Sequence, residues 1–179
     1  MPRFVAFLRG INLGKRRPSM AQLKALFEDA GFTKVETFIA SGNVIFDSGS
    51  KDQKKLESKI AKHLEQALGY EVDTFVRNAD EVTAISRSKV FEQEAANGHA
   101  LHVCFLHDAL NASDARKLDK IQTKNDAFKA AEREYYWLCR VKVVDSDVWK
   151  SPEMKSLRLP DCTMRNITSI RKLVAKHLS

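Results

Sequence analysis

Arg9-Gly10-Ile11-Asn12-Leu13-Gly14 places a guanidinium, an amide and two glycines within six residues, and Lys15-Arg16-Arg17 and Pro18 follow at once. The glycines reach backbone angles that other residues resist, and they let a ligand come close to backbone N–H groups. Beside a helix start, such N–H groups form an anion site. Further along, Ser41-Gly42-Asn43 adds a hydroxyl and a second amide. Backbone N–H groups, Asn12, Asn43, Ser41 and the Arg9 guanidinium together suit phosphate or carboxylate. The candidate ligand-binding residues here are Arg9, Gly10, Asn12, Gly14, Ser41, Gly42 and Asn43. The competing reading is conformational: Gly and Asn dominate turns, so Gly10 and Gly14 would simply shape one and the amides would cap it.

The pattern matches no nucleotide signature. A P-loop has four residues between its glycines and Lys-Ser/Thr after the second. Only three residues separate Gly10 from Gly14, and Lys15 is followed by Arg16. The three-glycine dinucleotide pattern is missing too, so no cofactor is expected. Ser41 has no base nearby in sequence and does not sit in a nucleophile elbow, which leaves the question of catalysis open. His99, His102, Cys104 and His107 carry metal-binding types, but no second pair at ligand spacing accompanies them, and no metal is expected. Cys104, Cys139 and Cys162 form no close pair in sequence. Their number and spacing suit a reduced, cytoplasmic setting.

The elements that must position these groups follow from periodicity. Phe4–Leu8 reads as a strand. Met20, Leu23, Leu26, Phe27 and Ala30 fall at helical spacing behind a Ser19/Gln22 capping box, and Gly31 ends the helix. Val35–Ala40 and Val44–Phe46 read as strands around Ser41-Gly42-Asn43. Leu56, Ile60, Leu64 and Leu68 mark a helix, and Val72–Val76 a fourth strand. The order β-α-β-β-α-β is the split βαβ plan of ferredoxin-like domains. That plan puts Arg9–Gly14 and Ser41–Asn43 at one edge of the sheet, forming a common polar rim. The second half repeats the plan: a strand at Leu101–Leu106, a helix at Ser113–Thr123, a strand at Tyr135–Val144 and a closing helix at Ile167–Leu178. Val103-Cys104-Phe105-Leu106 echoes Val5-Ala6-Phe7-Leu8. Asp145–Cys162, with two prolines, reads as a surface loop. The expected fold is therefore α+β, two tandem ferredoxin-like halves with antiparallel sheets and a C-terminal helix. The expected domains are 1–77, a connecting segment 78–98, and 99–179.

The formal net charge of +7 is uneven: +4 over residues 1–77, −1 over 78–140 and +4 over 141–179. Excess positive charge at the two ends of the chain favours an anionic partner, though a basic balance also serves solubility alone. The longest apolar run, Phe4–Leu8, is too short to span a bilayer. No signal-peptide pattern opens the chain, so a cytoplasmic location without membrane contact is expected.

Near the other end stands Arg165-Asn166-Ile167-Thr168-Ser169-Ile170-Arg171-Lys172-Leu173. Together with Arg9–Gly14, Pro18, Met20, Leu23, Gly31-Phe32 and Ser41-Gly42-Asn43-Val44, it resembles the bacterial domain-of-unknown-function 1697 family. The resemblance runs over nearly the whole chain, although Ile167 stands where that family's closing motif has an aromatic and Ser169 where it has threonine. Trp149–Pro160 departs from the Ser-Lys-Leu pattern of the family. The resemblance implies paired α/β halves and a cytosolic bacterial protein, and it implies no function. Arg165, Asn166 and Lys172 join the candidate binding residues as the start of the last helix, against a reading in which Asn166 or Thr168 only caps it.

The expected activity is binding of an anionic, phosphate-bearing ligand at the Arg9–Gly14 and Ser41–Asn43 rim. One alternative is a nucleic-acid-binding module with a broad basic surface. RNA-recognition modules share this strand order and display aromatics on an open sheet; Phe7 and Phe46 are the aromatics to follow. The other alternative is an enzyme acting on a phosphorylated metabolite.

Overall fold

A computed structural model describes residues 1–15, 17–39 and 42–179. The chain forms two compact units, Met1–Ser86 with Lys172–Ser179, and Arg87–Arg171.

In the first unit, strands β1 (Arg3–Arg9), β2 (Thr33–Phe38), β3 (Asn43–Asp47) and β4 (Asp73–Asn78) form an antiparallel sheet in the order β2-β3-β1-β4. Helix α1 (Met20–Asp29) joins β1 to β2, and α2 (Gln53–Leu68) joins β3 to β4. Each helix starts on a side-chain cap, Ser19 Oγ accepting from Gln22 N–H at 3.0 Å and Asp52 from Lys55 N–H at 3.2 Å. Gly69, at φ +83°, closes α2 in the left-handed conformation that glycine tolerates best. Leu56, Ile60 and Leu64 recur at helical spacing and face the sheet, where they meet Phe4, Phe27, Phe32 and Phe46. The rings of Phe32 and Phe46 lie 4.6 Å apart and those of Phe27 and Phe46 5.6 Å. The other face of this sheet is covered as well: Val5, Phe7, Ile45 and Phe75 are fully buried, and α3 (Ala79–Ser86) packs against β1 and β4. Neither Phe7 nor Phe46 is displayed on an open sheet, so the aromatic platform of an RNA-recognition module is absent from these two positions.

The second unit repeats the topology. Strands β5 (Ala100–Phe105), β6 (Asp126–Ala131), β7 (Glu134–Cys139) and β8 (Thr163–Asn166) form an antiparallel sheet in the order β6-β7-β5-β8. A short helix α4 (Glu92–Ala96) precedes β5, α5 (Ala112–Asp119) joins β5 to β6, and α7 (Ile167–Leu173) follows β8. The helix-facing core gathers Cys104, Leu118, Phe128, Tyr135 and Trp137, and Trp149 stands edge-on to Phe128 and Trp137 at 5.6 and 5.4 Å.

Three elements depart from the sequence reading. Strand β6 was not anticipated, because Asp126-Ala-Phe-Lys-Ala-Ala is rich in helix formers and becomes a strand only by pairing with β7. Its first residue, the buried Asp126, accepts from Trp137 Nε1 at 2.7 Å and Ser146 Oγ at 2.9 Å. Strand β7 ends at Cys139, short of the expected Val144, and a 3₁₀ turn occupies Val143–Asp145. The expected loop Asp145–Cys162 contains α6 (Pro152–Leu157), with Pro at its first position and Ser151 Oγ accepting from Met154 N–H at 3.2 Å. Met154 and Leu157 turn inward, which a purely surface loop would not do.

The four-residue echo between the halves is structural. Val5 lies opposite Arg77 and Val103 opposite Arg165. The N–H of Leu8 donates to Gly42 O, and that of Leu106 to Arg133 O, both at 2.9 Å. Arg77-Asn78 and Arg165-Asn166 end β4 and β8 alike, with both arginines buried and both asparagine Oδ1 atoms capping the following turn, on Glu81 and Thr168 N–H.

Candidate functional site

This internal correspondence shows what the first unit has that the second lacks. Between Leu8 and the cap Ser19, the first unit inserts Arg9–Pro18; between Leu106 and the cap Asn111, the second has only His107–Leu110. The β2–β3 connection runs from Phe38 to Asn43, whereas β6–β7 turns between Ala131 and Glu134. In the second unit, Arg133 Nε donates to His107 O at 3.0 Å and bridges the two connections. At the matching place in the first unit stands Gly42.

The long loop is fixed at a few points. Gly10 turns the chain at φ +78°, and buried Ile11 anchors it, its carbonyl accepting from Tyr70 Oη at 3.1 Å. Arg17 Nε donates to Gly14 O at 3.2 Å and so folds back toward the loop. Across from it, buried Asn43 donates Nδ2 to Phe38 O at 2.9 Å and so holds the β2–β3 turn. Ser41, the hydroxyl expected in this turn, lies outside the described residues.

Between loop and turn is a cavity of about 190 Å³. Asn12 and Arg17 line it from the loop, Ser19 and Met20 from the start of α1, and Gly42 and Asn43 from the turn. Leu23 and Ile39 form an apolar flank beside Thr37. Among the described residues no acidic side chain lines it, and the first turn of α1 carries none. The positive end of the α1 dipole therefore faces the cavity without a neighbouring carboxylate. Two larger clefts differ in this respect. One, of about 460 Å³, holds Arg3 ion-paired with Asp47 at 2.8 Å and Glu36 at 3.4 Å; the other, of about 490 Å³, sets Lys117 and Lys120 with Glu153.

The structure brings together Asn12, Gly42 and Asn43 from the sequence-derived set, with Gly10 and Gly14 shaping the loop. Arg9 ends β1 opposite Asp73 in register and is not part of the cavity lining. Arg165 and Asn166 belong to the second unit. Arg165 Nη1 donates to Thr163 Oγ1 at 2.8 Å and Met164 O at 2.9 Å, and burial lowers its pKa to about 10. Lys172 is exposed on α7, in the first unit. Sequence reasoning kept Arg17 within the basic run Lys15-Arg16-Arg17, outside the named binding set, and read Ser19 only as a cap. The signal for both was their place between Gly14 and the helix start. Among the described residues, no group of three or more His, Cys, Asp or Glu side chains gathers to hold a metal ion, and no helix is long and apolar enough to cross a membrane.

Two βαββαβ units in tandem define a duplicated ferredoxin-like α+β protein, elaborated at one edge of its first unit. The chain belongs to the family described as protein of unknown function (DUF1697), whose model matches residues 1–136. The match takes in both connections that line the cavity; the Arg165–Lys172 motif lies beyond it. The solved structure of the conserved bacterial protein SP0830 from Streptococcus pneumoniae is similar to this chain with a TM-score of 0.73 at 20% identity, over 98% of this chain and 99% of that one. The likeness is one of fold. No curated protein matches the chain.

Proposed function

We propose that the first unit binds a small phosphate-bearing ligand in the cavity between the Arg9–Pro18 loop and the β2–β3 turn. One observation carries this reading. Both connections are longer than their counterparts in the second unit, and the space they enclose is lined by Arg17, two amides and the α1 start, with no carboxylate among the described lining residues. At about 190 Å³ the cavity suits a phosphoryl group, with the remainder of the ligand lying outside. Arg17 supplies charge, Asn12 and Asn43 orient, and Gly42 lets the turn close against Ile11 and Leu8. A cytoplasmic setting fits such a ligand. Binding is the activity proposed here.

The test is a thermal-shift series with inorganic phosphate, pyrophosphate and phosphorylated metabolites grouped by class. A ligand at 100 times its Kd stabilises by about 2.7 kcal/mol. The expected result is a shift with one class, lost in Arg17→Ala and kept in Lys51→Ala. Absence of a shift with every class overturns the reading. Binding only to nucleic acid, weakening steeply with salt, would replace it with the basic-surface alternative.

A further inference from the structure

Cys104 and Cys162 stand 58 residues apart in sequence, yet the fold makes them neighbours. Cys104 lies on β5 opposite Met164 of β8, so Cys162, two residues before Met164, falls diagonally across from it on the same side of the sheet. Tyr135, the cross-strand partner of Cys104 on β7, places its Oη 3.5 Å from Cys162 Sγ, and all three side chains belong to one hydrophobic cluster. Their exposures differ: Cys104 is buried in the helix-facing core, while Cys162 packs against that core half-exposed. Cys139 is elsewhere in its bonding, donating its thiol to Val141 O at 3.0 Å.

We propose that Cys162 and Cys104 form a reversible oxidation site, with Cys162 as the thiol that meets the oxidant and Cys104 as the thiol that resolves it. With a peroxide as oxidant, Cys162 sulfur attacks the O–O bond and becomes a sulfenic acid, releasing one water. Cys104 sulfur then displaces the hydroxyl from Cys162 sulfur, the S–S bond forms and a second water leaves, taking up the Cys104 proton. Two thiols lose two electrons in total, and the peroxide gains them. A dithiol reductant reverses the reaction by exchange. The neighbouring Cys162 and, after it, burial push the Cys104 thiol well above its ordinary pKa. Cys104 is therefore protonated and sheltered at neutral pH, which leaves the half-exposed Cys162 as the point of entry and makes the resolving step slow. The Tyr135 hydroxyl, hydrogen-bonded to Cys162 Sγ, is placed to stabilise the sulfur as it changes charge.

The experiment treats the full chain with hydrogen peroxide at pH 7 and at pH 8.5, quenches free thiols by alkylation, and maps peptides by mass spectrometry without reduction. The expected product links the Cys104 and Cys162 peptides, leaves Cys139 alkylated, forms faster at pH 8.5 and disappears on treatment with dithiothreitol. In Cys104→Ser the expected product is a Cys162 sulfenic acid trapped by dimedone. A Cys162→Ser chain should lose the link while folding normally, because Cys162 sits at the margin of the core. The inference is overturned if oxidation links Cys139 instead, if Cys162 proceeds to sulfinic acid in the intact chain with no linked peptide, or if no thiol is modified at peroxide concentrations that oxidise exposed cysteines.

Discussion

Gly42 sits against Ile11. A Cβ placed on Gly42 would stand 2.9 Å from Ile11 Cγ2 and 3.1 Å from Leu8 Cβ. Both neighbours are buried and neither is the tip of a flexible chain. The backbone at 42 is at φ +84°, where an L side chain adds strain of its own. This contact joins the two connections that line the cavity, so its removal tests both stability and site.

Gly42→Ala is therefore expected to cost about 1–3 kcal/mol of stability, read as a lower midpoint in urea with an unchanged slope. Gly14→Ala, where a Cβ would meet nothing within 4 Å, carries only the cost of φ +59° and should cost less. Equal losses at the two positions would show that Ile11 and Leu8 yield easily to the added methyl.

Arg17→Ala and Arg165→Met separate charge that is available to a ligand from charge that serves the fold. Arg17 is exposed, and its loss should change stability by less than about 0.5 kcal/mol while weakening phosphate-ligand binding. Arg165 is buried, and Arg165→Met leaves Thr163 Oγ1 and Met164 O without their donor; about 1–3 kcal/mol of stability should be lost. Isothermal titration and chemical denaturation of both variants check the contrast. Loss of binding in Arg165→Met, at a protein concentration and temperature where it remains folded, would return Arg165 to the site.

How much of this was legible in the sequence depends on how local the signal is. β1, α1, α2 and the Gly-bearing turns of the first unit were readable because period, caps and stop residues agree within each segment. β6 was not, because alanines and a lysine become a strand only through their partner β7. The adjacency of Asn12 to Gly42 and Asn43 followed from strand order alone, since the split βαβ plan fixes which connections share an edge. Arg17 and Ser19 were not singled out, because a basic residue and a helix cap look alike whether or not a cavity opens between them. Nor was the approach of Cys104 to Cys162, which depends on the pairing of β5 with β8. The meaning of Arg165-Asn166 became clear only beside Arg77-Asn78, a comparison that requires the register of both sheets.

Edge protection gives a further test. β4 ends the first sheet, and its outward Val76 N–H donates to Glu57 Oε2 of α2 at 2.8 Å in a buried setting. In the second unit Asp119 of α5 accepts from Ala130 N–H on edge strand β6 at 2.7 Å. A carboxylate from a packed helix thus covers an edge that otherwise invites pairing with another chain. Glu57→Leu removes the acceptor and should cost about 1–3 kcal/mol. Light scattering during refolding should report more association than for wild type; Glu57→Gln, which retains an acceptor oxygen, should recover most of both. A fully stable, monomeric Glu57→Leu chain would show that water replaces the carboxylate without loss.

His102 makes acid stability depend on one buried imidazole. It lies on β5, 8% exposed, opposite Trp137 with ring centroids 5.1 Å apart and opposite Asn166 on the other side. Its Nε2 has no hydrogen-bond partner, and burial lowers its pKa from the ordinary 6.5. The folded chain therefore binds a proton here less readily than the unfolded one. Above pH 6.5 both states are neutral and the residue contributes no pH dependence. Below it the unfolded state gains the proton first, so stability falls with pH, by at most about 1.4 kcal/mol per unit, until the folded imidazole titrates as well. Urea denaturation from pH 7.5 to pH 5 should show this slope in the wild type and a flatter one in His102→Gln, whose side chain does not titrate. Parallel curves for the two proteins would assign the acid sensitivity to other groups.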